Sequence, residues 1–364
     1  MQVTHITPNR REKWNAFVAQ EPYFALLQSW EWGEFKEKLG WKAFRVAVES
    51  QGEMVAGAQL LIKYVPLGLA SIAYIPRGPV GDWLNEEIMS LLFSELHQIA
   101  RQNRAIFLKI EPSVLNDPAT DRLLRQYEFQ PSPYTNQPQA TILIDLTAEP
   151  DDILRQMRKK TRQYINQAER KGVTVRVGTQ EDLPALYELM QITGQRNQFA
   201  PRTFEYYEKE WQTFIANDRT IFLMAFYEEQ LLAVRTAYHF GQHAAEFHAG
   251  SSDAQADLRA NYLLVWEAIK WAKARGCQTY DLWGIPNEIG QAISQGEEPT
   301  ISNRTDGLWG VYRFKSGFSK EIVCYAGAYD YVYSPLIYNL FTNRFVNAET
   351  LDRLASRMDV LKPA

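Results

Sequence analysis

Apolar positions along this chain switch between two periods, and the order of the switches repeats. From Phe44 the run FRVAVES, a turn at Gln51-Gly52-Glu53, the run MVAGAQLLIKYV, a turn near Pro66-Leu67-Gly68 and the run ASIAYIP predict three strands. Glu86 to Arg101 then takes helical spacing, with Ile88, Leu91, Leu92, Leu96 and Ile99 on one side, before a fourth strand, AIFLKIEP from Ala105. The same succession returns as TIFLMAFYEEQ from Thr220, LLAVRTAYHF from Leu231, AAEFHAG from Ala244, a helix from about Arg259 to Arg275, and QTYDLWGIP from Gln278. The two helix-to-strand passages align with each other, which predicts one α/β unit used twice.

Between the copies, Ala148 to Gly172 predicts a helix with an acidic, proline-containing start and a glycine stop. Ile153, Met157, Thr161, Tyr164 and Ala168 form its less charged stripe. From Ile153 to Gly172 it carries Arg155, Arg158, Lys159, Lys160, Arg162, Arg170 and Lys171 against one acid, Glu169, a net +6. The whole chain has a net charge of -4, so the remainder carries -10. A one-signed run in an acidic protein points to an anionic partner such as phosphate or RNA, the alternative being a solvated helix. Glu288 to Asp306 is polar and reads as a loop. The tail from Tyr329 holds Leu336, Ile337, Leu340 and Phe341 and predicts a helix near Ala348 to Met358. Too short for a domain, the tail is expected to dock on the first copy. The predicted domains are therefore 1–147 with 328–364, and 148–327.

Composition narrows the class. At 364 residues the chain suits two domains. Its 10 Trp, 19 Tyr and 18 Phe exclude a disordered chain. The slightly acidic balance excludes a protein coated in basic charge, and no DNA partner is expected. Two cysteines, Cys277 and Cys324, cannot build a disulfide framework or a cysteine-rich zinc site. Met1 to Arg11 lacks an apolar signal core, and Lys63, Pro66 and Gly68 interrupt the most apolar window, Ala56 to Ile75. A cytoplasmic chain without a membrane span is the expectation.

Antiparallel strands followed by a crossover helix and another strand match the GNAT-type acyltransferase fold. Such enzymes carry an Arg-x-x-Gly-x-Gly/Ala turn whose backbone N–H groups cradle the coenzyme A pyrophosphate. Here the corresponding runs are Arg259-Ala260-Asn261-Tyr262-Leu263-Leu264 and Val80-Gly81-Asp82-Trp83-Leu84-Asn85, neither with the glycines. A side chain such as Tyr262 blocks the close backbone approach, so coenzyme A is disfavoured and no cofactor is expected. No P-loop, nucleophile elbow, zinc-protease helix or dinucleotide fingerprint occurs. His239, His243 and His248 fall on adjacent strands and a turn without a carboxylate arranged beside them, so no metal is expected.

Five strings stand in order along nearly the whole chain. They are Ser29-Trp30-Glu31-Trp32-Gly33-Glu34-Phe35-Lys36, Tyr74-Ile75-Pro76-Arg77-Gly78-Pro79, the basic helix, Asp281-Leu282-Trp283-Gly284-Ile285-Pro286 and Gly310-Val311-Tyr312-Arg313-Phe314-Lys315-Ser316-Gly317-Phe318. At these residues the chain resembles the Fem family of peptidoglycan interpeptide-bridge aminoacyltransferases (FemA, FemB, FemX and MurM). The resemblance implies an α/β (α+β) chain of two tandem GNAT-like domains that bind no coenzyme A. It also implies transfer of an amino acid from aminoacyl-tRNA to an amine on the stem peptide of a cell-wall precursor, UDP-MurNAc-pentapeptide or lipid II. Domain 1 would then bind the precursor and domain 2 the tRNA end, with visits to the inner membrane face where the acceptor is lipid-linked. The lack of a sustained heptad run of about 50 residues implies no coiled-coil arm and the compact, FemX-like plan.

Residue by residue, the resemblance implies that Lys36 binds the substrate's phosphate, and that Arg202 grips the same phosphates with Tyr206 and Tyr207 flanking the pocket. Lys315, after Phe314, falls near the scissile ester, where a cation stabilises an oxyanion or holds the tRNA 3′ end and the ring stacks on the terminal adenine. Glu111 sits where the family tends to have an acid proposed as general base, here Glu in place of Asp. Arg158, Lys159, Lys160 and Arg162 are the expected RNA contacts. Read without the resemblance, Lys36 fits equally a solvated lysine on an amphipathic helix, and Arg202 to Tyr207 an ordinary amphipathic helix. Lys315, among strand aromatics, then reads as surface-exposed. Two rival functions stay open, an N-acyltransferase of the same fold with another donor or acceptor, and a non-catalytic RNA or nucleotide-sugar binder.

Overall fold

In the computed structural model the three apolar runs of the first copy are the strands Lys42–Ser50, Glu53–Tyr64 and Ser71–Pro76, paired antiparallel in series. The structure describes residues 1–197, 200–252, 254–300, 304 and 307–345. The helix Glu86–Gln102, capped by the Asn85 side chain, crosses over the sheet, and Ala105–Glu111 returns parallel to Ser71–Pro76. Met89, Leu92, Phe93 and Leu96 from the helix's apolar stripe fill the core against Val46, Ala58, Leu60 and Ile75.

The second copy repeats this order. Thr220–Tyr227, Gln230–Phe240 and His243–Ser251 pair antiparallel, Ala260–Ala274 crosses over, and Thr279–Ile285 returns parallel to His243–Ser251. Each sheet is extended by the same two kinds of strand. An edge strand, Gln2–His5 or Val173–Val177, pairs antiparallel with the first strand of the copy. An antiparallel strand on the far side pairs with the returning one: Tyr329–Val332 beside Ala105–Glu111, and Ala140–Asp145 beside Thr279–Ile285.

These far strands set the boundaries of the units. The chain divides into residues 1–139 with 325–364, and residues 140–324. The second unit begins before residue 148 because Ala140–Asp145 is held between Thr279–Ile285 and Glu321–Cys324 in the second sheet. The tail joins the first unit through Tyr329–Val332, and Asp330 on that strand meets Lys109 at 3.0 Å with both side chains buried. Tyr338 Oη donates to the same carboxylate at 2.8 Å. The helix predicted near Ala348 to Met358 lies outside the described residues.

Three local expectations are corrected. The basic segment is two helices, Pro150–Gln156 and Lys159–Arg170, broken where Met157 and Arg158 take extended backbone angles. Part of the stretch expected as a loop is the helix Asn287–Ser294, whose Gly290 packs so closely on Ala140 and Cys324 that a Cβ would meet both. Lys315 ends a helix, Leu308–Lys315, rather than lying on a strand. Among the described residues, no helix is long and apolar enough to cross a membrane.

Candidate active site

The two parallel strands of the second unit part company after three pairs, His243↔Thr279, Ala244↔Tyr280 and Ala245↔Asp281. Beyond them each strand bulges. Against Gln230–Phe240, the register slips between Arg235 and Ala237, so that Thr236 opposes both Phe247 and His248. The Thr236 hydroxyl accepts from the His248 N–H at 3.1 Å. Against Ala140–Asp145, the register slips between Asp281 and Gly284, and Trp283 takes φ +60°. A bulky aromatic holds that left-handed conformation only where its surroundings enforce it. Buried Asp281 does so, accepting from the Trp283 N–H at 2.7 Å and from the Thr141 hydroxyl.

The split leaves a cavity of about 360 Å³ whose wall includes Arg235, Glu246, His248, Trp283, Phe314 and Lys315. Lys315 is only 8% exposed, which excludes the surface reading. Its Nζ donates to the Trp283 and Gly284 carbonyls at 3.2 and 3.1 Å, so the bulge supplies the acceptors that a buried ammonium needs. Glu246 Oε1 lies 3.7 Å from the same Nζ, while its Oε2 pairs with the buried Arg235 guanidinium. Burial pushes the Lys315 pKa down and Glu246 opposes the shift. Around Nζ, Arg235 and Lys315 stand with the buried carboxylates of Glu246 and Asp281, and the held Lys315 Nζ offers a fixed donor to an oxyanion. Phe314 packs edge-on to Tyr262 at 4.8 Å and Phe318 at 5.2 Å, and Tyr262 in turn to Tyr164 at 4.9 Å.

Tyr206 and Tyr207 stand in the first turn of the helix Phe204–Ile215, with Arg202 just ahead of it, and Thr203 caps that helix by accepting from the Tyr206 N–H at 3.3 Å. The Arg202 guanidinium lies 5.4 Å from the Tyr206 ring, and its backbone N–H donates to Tyr207 Oη at 3.3 Å. Tyr207, buried and with its phenol pushed up by burial, meets the His248 ring edge-on at 4.9 Å.

His248 also corrects the expectation that no carboxylate stands beside these histidines. Its Nε2 lies 2.7 Å from Oε2 of Glu210, which is 2% exposed. The readable signal was Glu210 itself, four residues after Tyr206 on the aromatic face of an amphipathic helix, where a buried acid needs a partner. His239 and His243 turn elsewhere, to the Asp218 carbonyl and the Thr279 hydroxyl. Among the described residues, no group of three or more His, Cys, Asp or Glu side chains is placed to hold a metal ion.

The basic segment reaches this site through Gly317. The Arg158 N–H donates to the Gly317 carbonyl at 2.9 Å, and a Cβ at Gly317 would overlap Thr161 Oγ1. Arg158, Lys159 and Lys160 are exposed at the start of Lys159–Arg170, whose first turn contains no acid. Arg162 is occupied otherwise, its guanidinium donating to the Arg155 and Met157 carbonyls at 2.8 and 2.5 Å.

Lys36 and Glu111 belong to the first unit. The string around Lys36 is shaped by packing. Ser29 caps Trp30–Lys38 by accepting from the Trp32 N–H at 3.1 Å, and Gly33 leaves room for Arg45 and Gln59, which a Cβ would overlap. Lys36 is 7% exposed, with Nζ 5.0 Å from both the Trp32 and Phe35 rings, so it is not a solvated lysine. Glu111 ends its strand buried, accepting from the Tyr74 hydroxyl and from the Asn136 and Gln137 N–H groups at 2.6 and 3.1 Å. Burial raises its pKa, against Lys109 and these donors.

Comparison with known proteins agrees with this architecture. The FemAB family model matches residues 10–122, 125–233 and 224–343. The lipid II:glycine glycyltransferase of Staphylococcus aureus is 34% identical over 217 residues, 57% of this chain and 51% of that protein. The chain thus spans about half the length of the curated relatives it matches. The crystal structure of FemX superposes with a TM-score of 0.81 at 23% identity, covering 93% of this chain and 99% of that one. A tandem GNAT protein from the clavulanic acid biosynthesis pathway reaches a TM-score of 0.54 at 11% identity, covering 91% and 98%. In fold, then, both units are GNAT-like.

Proposed function

Because the chain belongs to the FemAB family, we propose that it is an aminoacyltransferase acting on a peptidoglycan precursor. In this reading it moves an amino acid from aminoacyl-tRNA to the stem-peptide amine of UDP-MurNAc-pentapeptide or lipid II, in the cytoplasm or at the inner face of the membrane. The observation that carries it is Lys315, a buried ammonium in the wall of a cavity between two splayed strands. Aminolysis of an ester passes through a tetrahedral oxyanion, and a desolvated cation with a fixed position stabilises that charge as it develops.

The second unit is assigned the donor. Phe314 presents a ring for the terminal adenine, and Arg158, Lys159 and Lys160 add their charge to a helix N-terminus, a combination that attracts backbone phosphates. Arg162 serves this surface from behind by holding the preceding helix in place. The first unit is assigned the acceptor, with Lys36 as its phosphate contact. Arg202, flanked by Tyr206 and Tyr207, is the proposed phosphate contact of the second unit. The acceptor amine enters protonated, and Glu111, whose carboxyl burial pushes up, is the proposed acceptor of that first proton.

The test is incubation of the chain with a pool of charged tRNAs and either precursor, followed by mass spectrometry of the stem peptide. A gain of one amino-acid residue that RNase abolishes is the expected result. No product with any donor and acceptor pair overturns the reading.

A further inference from the structure

Aminolysis moves a second proton, for which Lys315 and Glu111 provide no carrier. Once the neutral amine has added to the ester carbonyl, its nitrogen must lose a proton, and the departing ribose oxygen must gain one. A single base beside the reacting carbon can do both. The cavity wall that holds Lys315 also holds His248, and the construction around His248 is that of an oriented base.

Three features make it so. The bulge opposite Thr236 takes His248 out of the regular ladder, and the Thr236 hydroxyl fixes its backbone in that position. The Glu210 carboxylate, 2% exposed, can only accept, so the 2.7 Å contact places a proton on Nε2 and leaves the Nδ1 lone pair as the basic site of the ring. Glu210 Oε1 is buried with no hydrogen-bond partner among the described residues, so this carboxylate is held there by His248 alone. The edge-on Tyr207 ring and the neighbouring Phe247 hold the imidazole plane.

We propose that His248 is a catalytic base and acid of the transfer, and that Glu210 is its positioning residue. The assignment rests on the aminoacyl-transfer reading. The amine nitrogen forms its bond to the carbonyl carbon, and the carbonyl electron pair moves onto oxygen beside Lys315. The N–H proton passes to Nδ1 of His248. The carbonyl re-forms, the bond from carbon to the ribose oxygen breaks, and the imidazolium returns the same proton to that oxygen. Amide and free hydroxyl leave, His248 returns to its starting form, and the first proton, held by Glu111, passes to solvent before the next turnover.

The test compares the wild-type chain with His248→Gln, His248→Ala and Glu210→Gln in the tRNA and precursor assay. His248→Gln keeps an N–H for Glu210 but has no basic nitrogen, and is expected to lower kcat by about 10²–10³-fold with both KM values and the melting temperature kept. His248→Ala is expected to regain transfer on addition of free imidazole. Glu210→Gln is expected to lower kcat rather than raise KM. In the wild-type chain, ¹⁵N NMR of the imidazole should show the proton on Nε2. Wild-type turnover in His248→Gln, or a proton on Nδ1, overturns the assignment while leaving aminoacyl transfer intact. Absence of transfer by the wild-type chain overturns the reading, and the assignment with it.

Discussion

The backbone N–H of Arg158 donates to the carbonyl of Gly317, 159 positions later in the sequence, at 2.9 Å. That bond starts the basic helix, since Arg158 is its N-cap residue and offers no side-chain cap. It also places the start of the helix two residues from Lys315. Gly317→Ala would push a methyl group into Thr161 Oγ1. The expected result is a loss of about 1–3 kcal/mol, typical of overpacking, seen as a lower melting temperature. Thr161→Ala, which removes that oxygen, should recover most of the loss in the double variant, and simple additivity would exclude this overlap as the cause.

Lys315→Met keeps the length of the side chain but removes the ammonium between the Trp283 and Gly284 carbonyls. Transfer is expected to fall by about 10²–10³-fold, the effect of deleting one oxyanion donor, with tRNA affinity kept. Lys315→Arg is expected to fail as well, because a planar guanidinium cannot occupy the same buried site. Kinetics with saturating tRNA check both, and wild-type turnover in Lys315→Met would remove the residue from the chemistry.

Neutralising Arg158, Lys159 and Lys160 together should weaken tRNA binding and flatten its dependence on salt, by about 0.7 in the log–log slope for each phosphate that is no longer neutralised. Arg162→Gln should behave differently. Its guanidinium is engaged with the Arg155 and Met157 carbonyls, so the change should lower the melting temperature and leave the salt slope alone. Fluorescence titrations across salt concentrations separate the two outcomes.

How far the sequence reached can be judged on these same residues. Both copies of the unit were readable because the change from period two to period 3.6 is local, and their strands and crossover helices lie where that pattern puts them. The break at Met157 was not readable, since its cause is the distant Gly317. The helix Asn287–Ser294 was hidden for the same reason, its turn-rich composition being outweighed by the packing of Gly290 on Ala140 and Cys324. Lys315 and Phe314 were singled out by resemblance, but their helix, and the carbonyls that Lys315 serves, follow from a bulge with Trp283 at positive φ that no pattern of residue types announces. His248 was visible, and Glu210 could be read as an acid in need of a partner, but that the two meet was not readable, because they lie 38 positions apart on different elements.

Glu21 gives the fold a pH signature separate from the chemistry. Burial raises its carboxyl from 4.5 to about 7, against the Gly81 N–H that Oε1 accepts at 3.1 Å. The folded chain therefore holds a proton that the unfolded chain has already released, and stability falls as pH rises through the window from 4.5 to about 7. Glu21→Gln keeps an acceptor for Gly81 and cannot ionise. It should melt higher than wild type at about pH 8, by roughly 1 kcal/mol after allowing for partial solvent screening, with the difference gone near pH 4. Thermal melts at the two values decide it.

The pairing of Asp330 with Lys109 carries a consequence for the way the protein is made. Lys109 is translated within the first third of the chain, but its buried counter-ion emerges from the ribosome only after all of residues 140–324. The unit that comes second in sequence is contiguous, and so is complete before the first one can close its sheet. Until Tyr329–Val332 arrives, the nascent first unit holds an open strand edge along Ala105–Glu111 and an uncompensated ammonium behind it. The second unit can therefore complete its sheet before the first, and the late strand Tyr329–Val332 acts as the latch on the first unit.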